Sequence, residues 1–203
     1  MSKTKSKLRE YIEAILLAIL IAFFIRTFVI QAYKIPSGSM KPTLLIGDHI
    51  LVSKFSYGIK LPFIRSTVLP IGEPKRGDIV VFIYPEDRSK DFIKRLIGVP
   101  GDTIEVRNKK ILLNGLPFDD VHGVHSDSII IPGSVQPRDN FGPVKVPADS
   151  IFVMGDNRDE SYDSRFWVFV NMKDVLGKAL IIYWSWNHDE YGVRWSRIGT
   201  ILR

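Results

Sequence analysis

The sequence predicts a mostly β, antiparallel domain preceded by one N-terminal transmembrane helix. Every residue from Ala14 to Ile25 is apolar, whereas after about residue 31 the apolar runs are short and are separated by Gly, Pro and Asp. Short runs with recurring turn signals are typical of antiparallel β folds, and a long apolar run is typical of a membrane span. The 203 residues suffice for one good core or two small lobes.

The N-terminal apolar segment has three interpretations. Its basic start and short apolar core fit a cleaved leader, but no small-x-small cleavage site follows at Phe28 and beyond. A core helix of a small soluble domain would rarely be apolar on every face. A retained anchor over residues 11–30 is favoured, because this length is about what a helix needs to cross a bilayer.

The charges beside this span predict its orientation and its surroundings. Residues 1–10 carry three lysines and an arginine, and the net charge of the chain is +6. By the positive-inside rule, residues 1–10 are expected to stay in the cytoplasm, so residues 31–203 would form an extracytoplasmic domain of a single-pass protein. Because the basic residues adjoin the apolar run, they indicate contact with membrane lipids rather than with nucleic acid.

The remaining elements follow from short apolar runs bounded by turn residues. Asn108 and Lys109 are expected to form a tight hairpin turn, and residues 171–176 are expected to form one short helical turn. Residues 115–147 are rich in Gly, Pro, Asp and His and are interpreted as a small insertion or extended loop. The predicted strands are Asp78–Tyr84, Phe92–Val99, Thr103–Val106, Lys110–Leu113, Ser150–Met154 and Ala179–Tyr183.

A stiff, irregular segment that contains Ser39 follows the span. Residues 35–43 read IPSGSMKPT, and the two prolines and the glycine restrict the path of the backbone. Such a segment suits a nucleophile, because the hydroxyl can be exposed while neighbouring N–H groups point at a developing oxyanion. The alternative is a linker between the span and the domain, and composition alone favours that alternative.

Cysteine and histidine chemistry is largely excluded. The chain has no cysteine, which rules out disulfides, thiolate zinc sites and a cysteine nucleophile. No histidine stands in a known catalytic triad motif, and no metal-binding motif is present. The four histidines are His49, His122, His125 and His188.

Lys94 is the candidate base for Ser39. Lysine is the other known partner of a catalytic serine. Lys94 lies in an apolar predicted strand, where burial would lower the pKa of its amine. The alternative is that Lys94 is an exposed strand residue. Because neighbouring strand residues face opposite ways, at most one of Lys94 and Arg95 is expected to be buried.

A dense polar stretch runs from Gly155 to Arg165 and reads GDNRDESYDSR. Its spacing does not match an EF-hand, and its arginines argue against a cation site. Two interpretations remain, which are a solvated turn and a packed network of ion pairs and hydroxyls that supports a site.

Together these segments resemble the sequence boxes of bacterial type I signal peptidases, which are Ser/Lys serine proteases. The matching boxes, in the family's order, are the span and residues 36–44, 47–54, 76–81, 94–103 and 155–165. The resemblance implies the antiparallel β fold that signal peptidases share with self-cleaving repressors. It also implies an endopeptidase that removes signal peptides from exported preproteins after small residues of the A-x-A type, at the bacterial inner membrane. It implies no metal or cofactor, and we expect a monomer.

The resemblance also assigns roles to individual residues. Ser39 matches the nucleophile and Lys94 the general base. Ser37 matches the hydroxyl that completes the oxyanion hole, and Ser161 matches the serine that orients the lysine amine. The other supporting positions are Met40, which lines the site, Arg95, Asp156 and the ion pair of Asp163 with Arg165.

Two departures and two alternatives accompany this resemblance. Val168 stands where the family usually has a glycine, which leaves the local backbone open. The insertion is short, so the family's second small β subdomain is expected to be reduced. The alternatives are a Ser/Lys protease of the self-cleaving repressor type and a non-catalytic, membrane-tethered β domain that binds extracytoplasmic peptides.

Overall fold

The computed structural model describes residues 7–60, 67–69 and 71–203. Much of the predicted basic segment 1–10 therefore lies outside the described residues. The helices are α1 (Lys7–Phe24), which runs into a π-helical turn (Ile25–Val29), α2 (Ser164–Trp167), and the 3-10 turns Arg158–Glu160, Met172–Asp174 and Trp195–Arg197. The strands are β1 (Ile30–Lys34), β2 (Asp48–Ser53), β3 (Ile59–Lys60), β4 (Thr67–Leu69), β5 (Ile79–Ile83), β6 (Asp91–Gly98), β7 (Thr103–Arg107), β8 (Lys110–Leu113), β9 (Leu116–Pro117), β10 (Phe141–Lys145), β11 (Ser150–Met154), β12 (Val170–Asn171), β13 (Val175–Asn187) and β14 (Gly192–Val193).

Two antiparallel sheets form the body of the protein. The larger sheet has the order β1-β2-β13-β5-β6-β11-β12, with β14 paired to β13. The smaller sheet has the order β10-β7-β8-β9. Residues 115–147, interpreted from the sequence as an insertion or loop, supply β9 and β10, which complete the smaller sheet on both sides of the β7–β8 hairpin. The predicted mostly antiparallel β fold is confirmed.

The hairpin turn between β7 and β8 shows how local sequence fixes register. Asn108 and Lys109 have φ angles of 48° and 69°. Positive φ at both central residues is the type I′ turn, whose twist matches that of the flanking strands. Arg107 therefore pairs with Lys110, and Val106 with Ile111, as the sequence predicted for a tight hairpin.

The predicted N-terminal helix is present as α1. None of its residues is buried, and most of its large apolar side chains, Leu16, Leu20 and Phe23 among them, are more than half exposed. Within the part of the chain that the structure describes, none of the helices has the length and apolar character that a membrane crossing requires.

The buried core forms three clusters that hold the sheets in place. In the first, Ile35, Met40 and Leu44 pack on side chains of the larger sheet, which anchors the segment that carries Ser39. In the second, Phe82 packs with other side chains of the larger sheet. In the third, Ile104 contacts Phe152 and neighbouring side chains, which ties the smaller sheet to the larger one.

Val168 adopts a backbone conformation that suits glycine. It has φ 74° and ψ −80°, directly after α2, and its N–H donates to the carbonyl of Ser164 at 2.9 Å. Positive φ is a real outlier for a β-branched residue, since Cβ crowds the backbone. Val168 thus has the φ and ψ angles of the positive-φ form of the γ-turn, which is rare and strained for a residue with a Cβ.

Replacing Val168 by glycine is expected to stabilise the protein. Relief of backbone strain of order 1–3 kcal/mol outweighs the roughly 0.5–1 kcal/mol entropic cost of glycine, which leaves a gain of about 1 kcal/mol. Thermal unfolding in detergent should show a rise of roughly 2–4 °C in Tm. Val168→Ala, which keeps Cβ and hence the strain, should show no gain. A Tm for Val168→Gly at or below that of Val168→Ala would contradict this account.

Candidate active site

Ser39 lies in the irregular segment that joins β1 to β2. The segment turns twice, since the Lys41 N–H donates to the Gly38 carbonyl at 3.1 Å and the Leu44 N–H donates to the Met40 carbonyl at 2.9 Å. Met40 and Leu44 are buried beneath it, so the turns are held to the sheet by apolar packing. This packing fixes the Ser39 hydroxyl at the surface of the core, where the side chain is nearly buried.

The structure brings Lys94 to Ser39. The Lys94 Nζ and Ser39 Oγ atoms are hydrogen-bonded at 2.6 Å, although the residues are 55 positions apart. Lys94 lies on β6, where its partner across the ladder is Val80 of β5, and its side chain is only 4% exposed. With so little of its surface exposed, the amine has little access to water.

Burial changes the acidity of this amine. Desolvation is the main cause that lowers the pKa of Lys94, to about 8 from its usual 10.5. Asp163 and Asp156 act in the opposite direction, while Arg165 lowers the pKa further. Near pH 7 roughly one lysine in ten is then neutral, compared with well under one in a thousand for a free lysine. The site therefore holds a hydroxyl beside an amine that can accept its proton.

The expectation that at most one of Lys94 and Arg95 is buried was wrong. Arg95 is 2% exposed, even though its side chain points away from that of Lys94. Both faces of β6 are covered at this level: Ser39 contacts the amine of Lys94, and Asp156 lies against the guanidinium of Arg95. The opposite directions of the two side chains are as expected, but the sequence did not show that a second layer covers the sheet.

The Gly155–Arg165 stretch is a packed network rather than a solvated turn. Arg95 donates from Nε and Nη2 to both oxygens of Asp156, each at 2.8 Å. Arg165 donates from Nε and Nη2 to the two oxygens of Asp163 at 2.9 and 2.8 Å. Burial by itself would raise the pKa of Asp163, but the charge and hydrogen bonds of Arg165 outweigh burial and hold this pKa below its usual value.

Similarity to known proteins agrees with this geometry. Residues 8–184 match the family described as signal peptidase, peptidase S26. The chain is 36% identical to signal peptidase I of Pseudomonas fluorescens, over 95% of this chain and 78% of that protein. It is 40% identical to signal peptidase I of Leptolyngbya laminosa, over 91% and 84% of the two chains, and 37% identical to signal peptidase I P of Bacillus subtilis subsp. natto, over 89% and 91%.

The chain belongs to the S26 signal peptidase family. The family predicted from the sequence boxes is thereby confirmed, and so is the class of serine endopeptidase. The roles of individual side chains in this S26 peptidase stay predictions.

Ser37 and Ser161 lie close to the Ser/Lys pair in different ways. The Ser37 and Ser39 hydroxyl oxygens are 3.5 Å apart, so both can face one bound carbonyl. The Ser161 hydroxyl is buried and meets no partner with hydrogen-bond geometry among the described residues, although it is near enough to Asp163 to help lower the pKa of that carboxyl. Its orientation of the Lys94 amine stays a prediction.

The sequence boxes contain two positioning residues that were not singled out before. The Asn157 N–H donates to the Ser39 carbonyl at 3.1 Å, and the Asn157 side chain donates to the Gly38 carbonyl at 3.2 Å. A Cβ on Gly155 would collide with the Ser39 carbonyl oxygen and with the Ser161 hydroxyl. The sequence signal for Gly155 and Asn157 was their place beside Asp156 in the Gly155–Arg165 stretch. The sequence alone does not show which backbone segment these two residues contact.

Gly155→Ala is expected to lower kcat/KM for peptide cleavage at least about tenfold, since a shift of Ser39, the predicted nucleophile, by a fraction of an ångström is costly for catalysis. The added methyl group must push away the Ser39 backbone or the Ser161 side chain. Gly192→Ala is the matched control, because a Cβ there would meet only the Glu190 carbonyl oxygen, at an ordinary contact distance of 3.7 Å, and the φ of Gly192 is not in the left-handed region. Equal kcat/KM in the Gly155→Ala variant and the wild type would show that the contact has no role in positioning.

The pH dependence of activity follows from the lysine. With Lys94 as the predicted base, the neutral amine is the expected active form; since its pKa is about 8, kcat/KM should rise with pH, reach half its maximum near pH 8 and level off above it. Below the midpoint it should fall about tenfold for each pH unit. The measurement uses a peptide substrate without titratable groups between pH 5 and 10. A profile that is flat between pH 6 and 9, or an acidic limb below pH 5, would contradict the assignment.

Proposed function

We propose that this peptidase removes N-terminal signal peptides from exported preproteins, and that Ser39 and Lys94 carry out the cleavage. The observation that carries this proposal is the 2.6 Å contact between Lys94 Nζ and Ser39 Oγ, which unites a nucleophile with a buried base. Membership of the S26 family supports the substrate class. Since the pair supplies both nucleophile and base, the proposed reaction uses no metal or cofactor.

The chemical steps follow from the positions of the side chains. Neutral Lys94 accepts the Ser39 proton as Oγ attacks the carbonyl carbon of the scissile bond. The oxyanion that forms is stabilised by the Ser37 hydroxyl and the Ser39 backbone N–H. The ammonium of Lys94 then donates its proton to the leaving amine as the peptide bond breaks, which leaves an acyl-enzyme. Lys94 then deprotonates a water that attacks this ester, and the resulting ammonium returns the proton to Ser39 Oγ as the acyl group leaves.

Side chains outside the Ser39–Lys94 pair are proposed to hold these two residues in place. Arg95 and Asp156 connect β6 to the stretch after β11, and Thr43 donates to Asp156 at 2.5 Å from the segment that carries Ser39. The carboxyl of Asp163 accepts from the Gly155 N–H at 3.0 Å and so fixes the backbone beside Ser39. Met40 is buried directly next to Ser39 and is proposed to line the cleft for the small residues before the cut.

The proposed substrate and cleavage rule can be tested with purified enzyme in detergent micelles. A preprotein with alanines at the first and third positions before its cut should be processed, and the new N-terminus should begin at the residue after them. The matched control precursor carries leucine in place of the alanine at the first position, and it should stay uncut. Absence of cleavage of the first precursor, or equal cleavage of both, would overturn the proposed specificity.

The N-terminal segment is proposed to anchor the enzyme in the inner membrane. The exposed apolar side chains of α1 form a surface that is unusual for a soluble protein and that lipid would cover. The helical path continues through the π-helical turn to Val29, and residues 11–30 have about the length that a span needs. The Lys54 ammonium donates to the carbonyls of Arg26 and Thr27 at 3.3 Å and fixes the end of this path to the catalytic body.

The proposed topology places residues 1–10 in the cytoplasm and residues 31–203 outside, with the enzyme acting as a monomer. Both members of the catalytic pair come from one chain, so no second copy is needed to complete the site. Because the chain has no cysteine, a single introduced thiol reports its own side of the membrane. An impermeant maleimide should label Lys110→Cys in intact spheroplasts and Lys5→Cys only after lysis. The reverse pattern would contradict the topology.

A further inference from the structure

The catalytic lysine shares its strand face with an aromatic ring. Phe92 and Lys94 are two residues apart on β6, so their side chains leave the sheet on the same side. The Lys94 Nζ atom lies 5.5 Å from the centroid of the Phe92 ring. This is within the roughly 6 Å over which a ring attracts an ammonium through the negative charge on its face.

Other aromatic side chains hold the Phe92 ring in its orientation. Phe92 stacks on Tyr84, with ring centroids 4.3 Å apart and planes 4° from parallel. The edges of Trp167 and Phe82 contact it as well, at centroid distances of 5.8 and 6.5 Å. Packed on three sides, the ring has little freedom to turn away from the amine, which makes the contact a fixed part of the site.

We infer that Phe92 stabilises the ammonium that Lys94 becomes when it accepts the Ser39 proton. The inference rests on the proposed function, because that function requires the amine to gain a charge during each turnover. In the form of the enzyme that reacts, the amine is neutral and the ring contributes little. When the Ser39 O–H bond breaks and the proton binds Nζ, the new charge arises in a site with little water, where a cation–π contact is strongest. Phe92 acts through Lys94 and is thus a positioning residue.

The charged groups around the amine lie elsewhere in the chain. Asp163 and Asp156 favour the ammonium, and Arg165 disfavours it. All three belong to the stretch after β11, whereas Phe92 lies on β6. A substitution at Phe92 leaves these charges unchanged, so its effect on Lys94 can be separated from theirs.

Two possible roles of the Phe92 ring predict opposite shifts in the pH at which Lys94 titrates. If the ring stabilises the ammonium, Phe92→Leu makes the charged form less favourable and moves the titration of Lys94 to lower pH. If the ring only excludes water, its loss hydrates the amine and moves the titration towards that of a free lysine, at higher pH. The direction of the shift therefore distinguishes an electrostatic role from a packing role.

The experiment compares Phe92→Leu with two matched variants. Phe92→Tyr keeps an aromatic face beside the amine, and Phe152→Leu removes a buried ring on β11 that packs against Phe141 and Phe169 instead. Phe92→Leu should lower kcat about five- to tenfold with little change in KM, and should move the acidic midpoint down by about half to one pH unit. The midpoints of Phe92→Tyr and Phe152→Leu should remain at the wild-type value.

A second readout keeps this inference separate from the proposed function. In protein labelled with ¹³C-lysine, the Cε resonance of Lys94, identified by its loss in Lys94→Met, reports titration without any turnover. A midpoint that does not move, or that rises, in Phe92→Leu overturns the inference even if precursor cleavage by the wild type is normal. If the wild type cleaves no precursor while the resonance still shifts downward, the proposed function fails and the contact between ring and ammonium stands.

Discussion

Replacing Lys94 by methionine is expected to lower kcat/KM for precursor cleavage about a thousandfold or more, because the variant keeps the shape of the side chain but loses the base. Ser39→Ala should have an effect of similar size, since it removes the nucleophile. The double variant should be no worse than either single variant, because two residues that act as one unit are strongly non-additive. Initial rates on a purified preprotein measure all three. Multiplicative losses in the double variant would show that Ser39 and Lys94 act independently.

The same Lys94→Met variant is expected to be more stable than the wild type near pH 7. The pKa of Lys94 is lowered from 10.5 to about 8 on folding, so the unfolded chain binds the proton more tightly. Below pH 8 this difference costs the folded state up to about 3 kcal/mol, and the cost disappears as pH rises from 8 to 10.5. Methionine removes the cost at every pH, so urea unfolding should show a gain at pH 7 that vanishes near pH 10.5. A loss of stability at pH 7 would show that the amine is well solvated in the folded protein.

The strands and the catalytic pair illustrate what sequence can predict. Strand β11 has the bounds that its apolar run predicts, and β6 differs from its prediction by one residue at each end, because turn residues such as Pro100 and Gly101 end these runs. Spacing and composition alone did not exclude that Ser39 lies in a linker, or that Lys94 is an exposed strand residue. Only the resemblance to the family joined them, since 55 residues separate the two and no local rule encodes a contact of that range.

Other features of the site could not be predicted from the sequence, because they depend on which distant segments pack on the faces of the sheet. Burial of Arg95 requires Asp156, a residue 61 positions away, to lie on the opposite face of β6 from Ser39. Residues 115–147 looked like a loop because β9 and β10 are short and carry few apolar residues, yet they complete a sheet that the β7–β8 hairpin nucleates. The contact of Gly155 with the Ser39 backbone is likewise a matter of packing, for which the sequence shows only a glycine.

Arg95→Ala is expected to destabilise the protein by about 3–5 kcal/mol, because it leaves the carboxylate of Asp156 buried without its partner. Asp156 is fully buried, and the only other side-chain donor to it among the described residues is Thr43. Arg95 also donates from Nη1 to the main-chain oxygens of Gly77 and Arg203 at 2.7 and 2.8 Å, and both acceptors would lose this donor. Arg107→Ala is the matched control, since the ion pair of Arg107 with Glu105 is exposed on its arginine side and should contribute little.

Removing both charges should restore part of the stability that Arg95→Ala loses. In the double variant Arg95→Met with Asp156→Leu, no buried charge remains, and buried ion pairs can often be replaced by apolar residues at small cost. Recovery should be incomplete, because the main-chain oxygens of Gly77 and Arg203 still lack this donor. Urea unfolding followed by tryptophan fluorescence measures the series. If Arg95→Ala unfolds at the same urea concentration as Arg107→Ala, the pair is not what holds β6 to the stretch beside Ser39, and the rigidity of the catalytic pair must come from the apolar packing of Met40 and Leu44 instead.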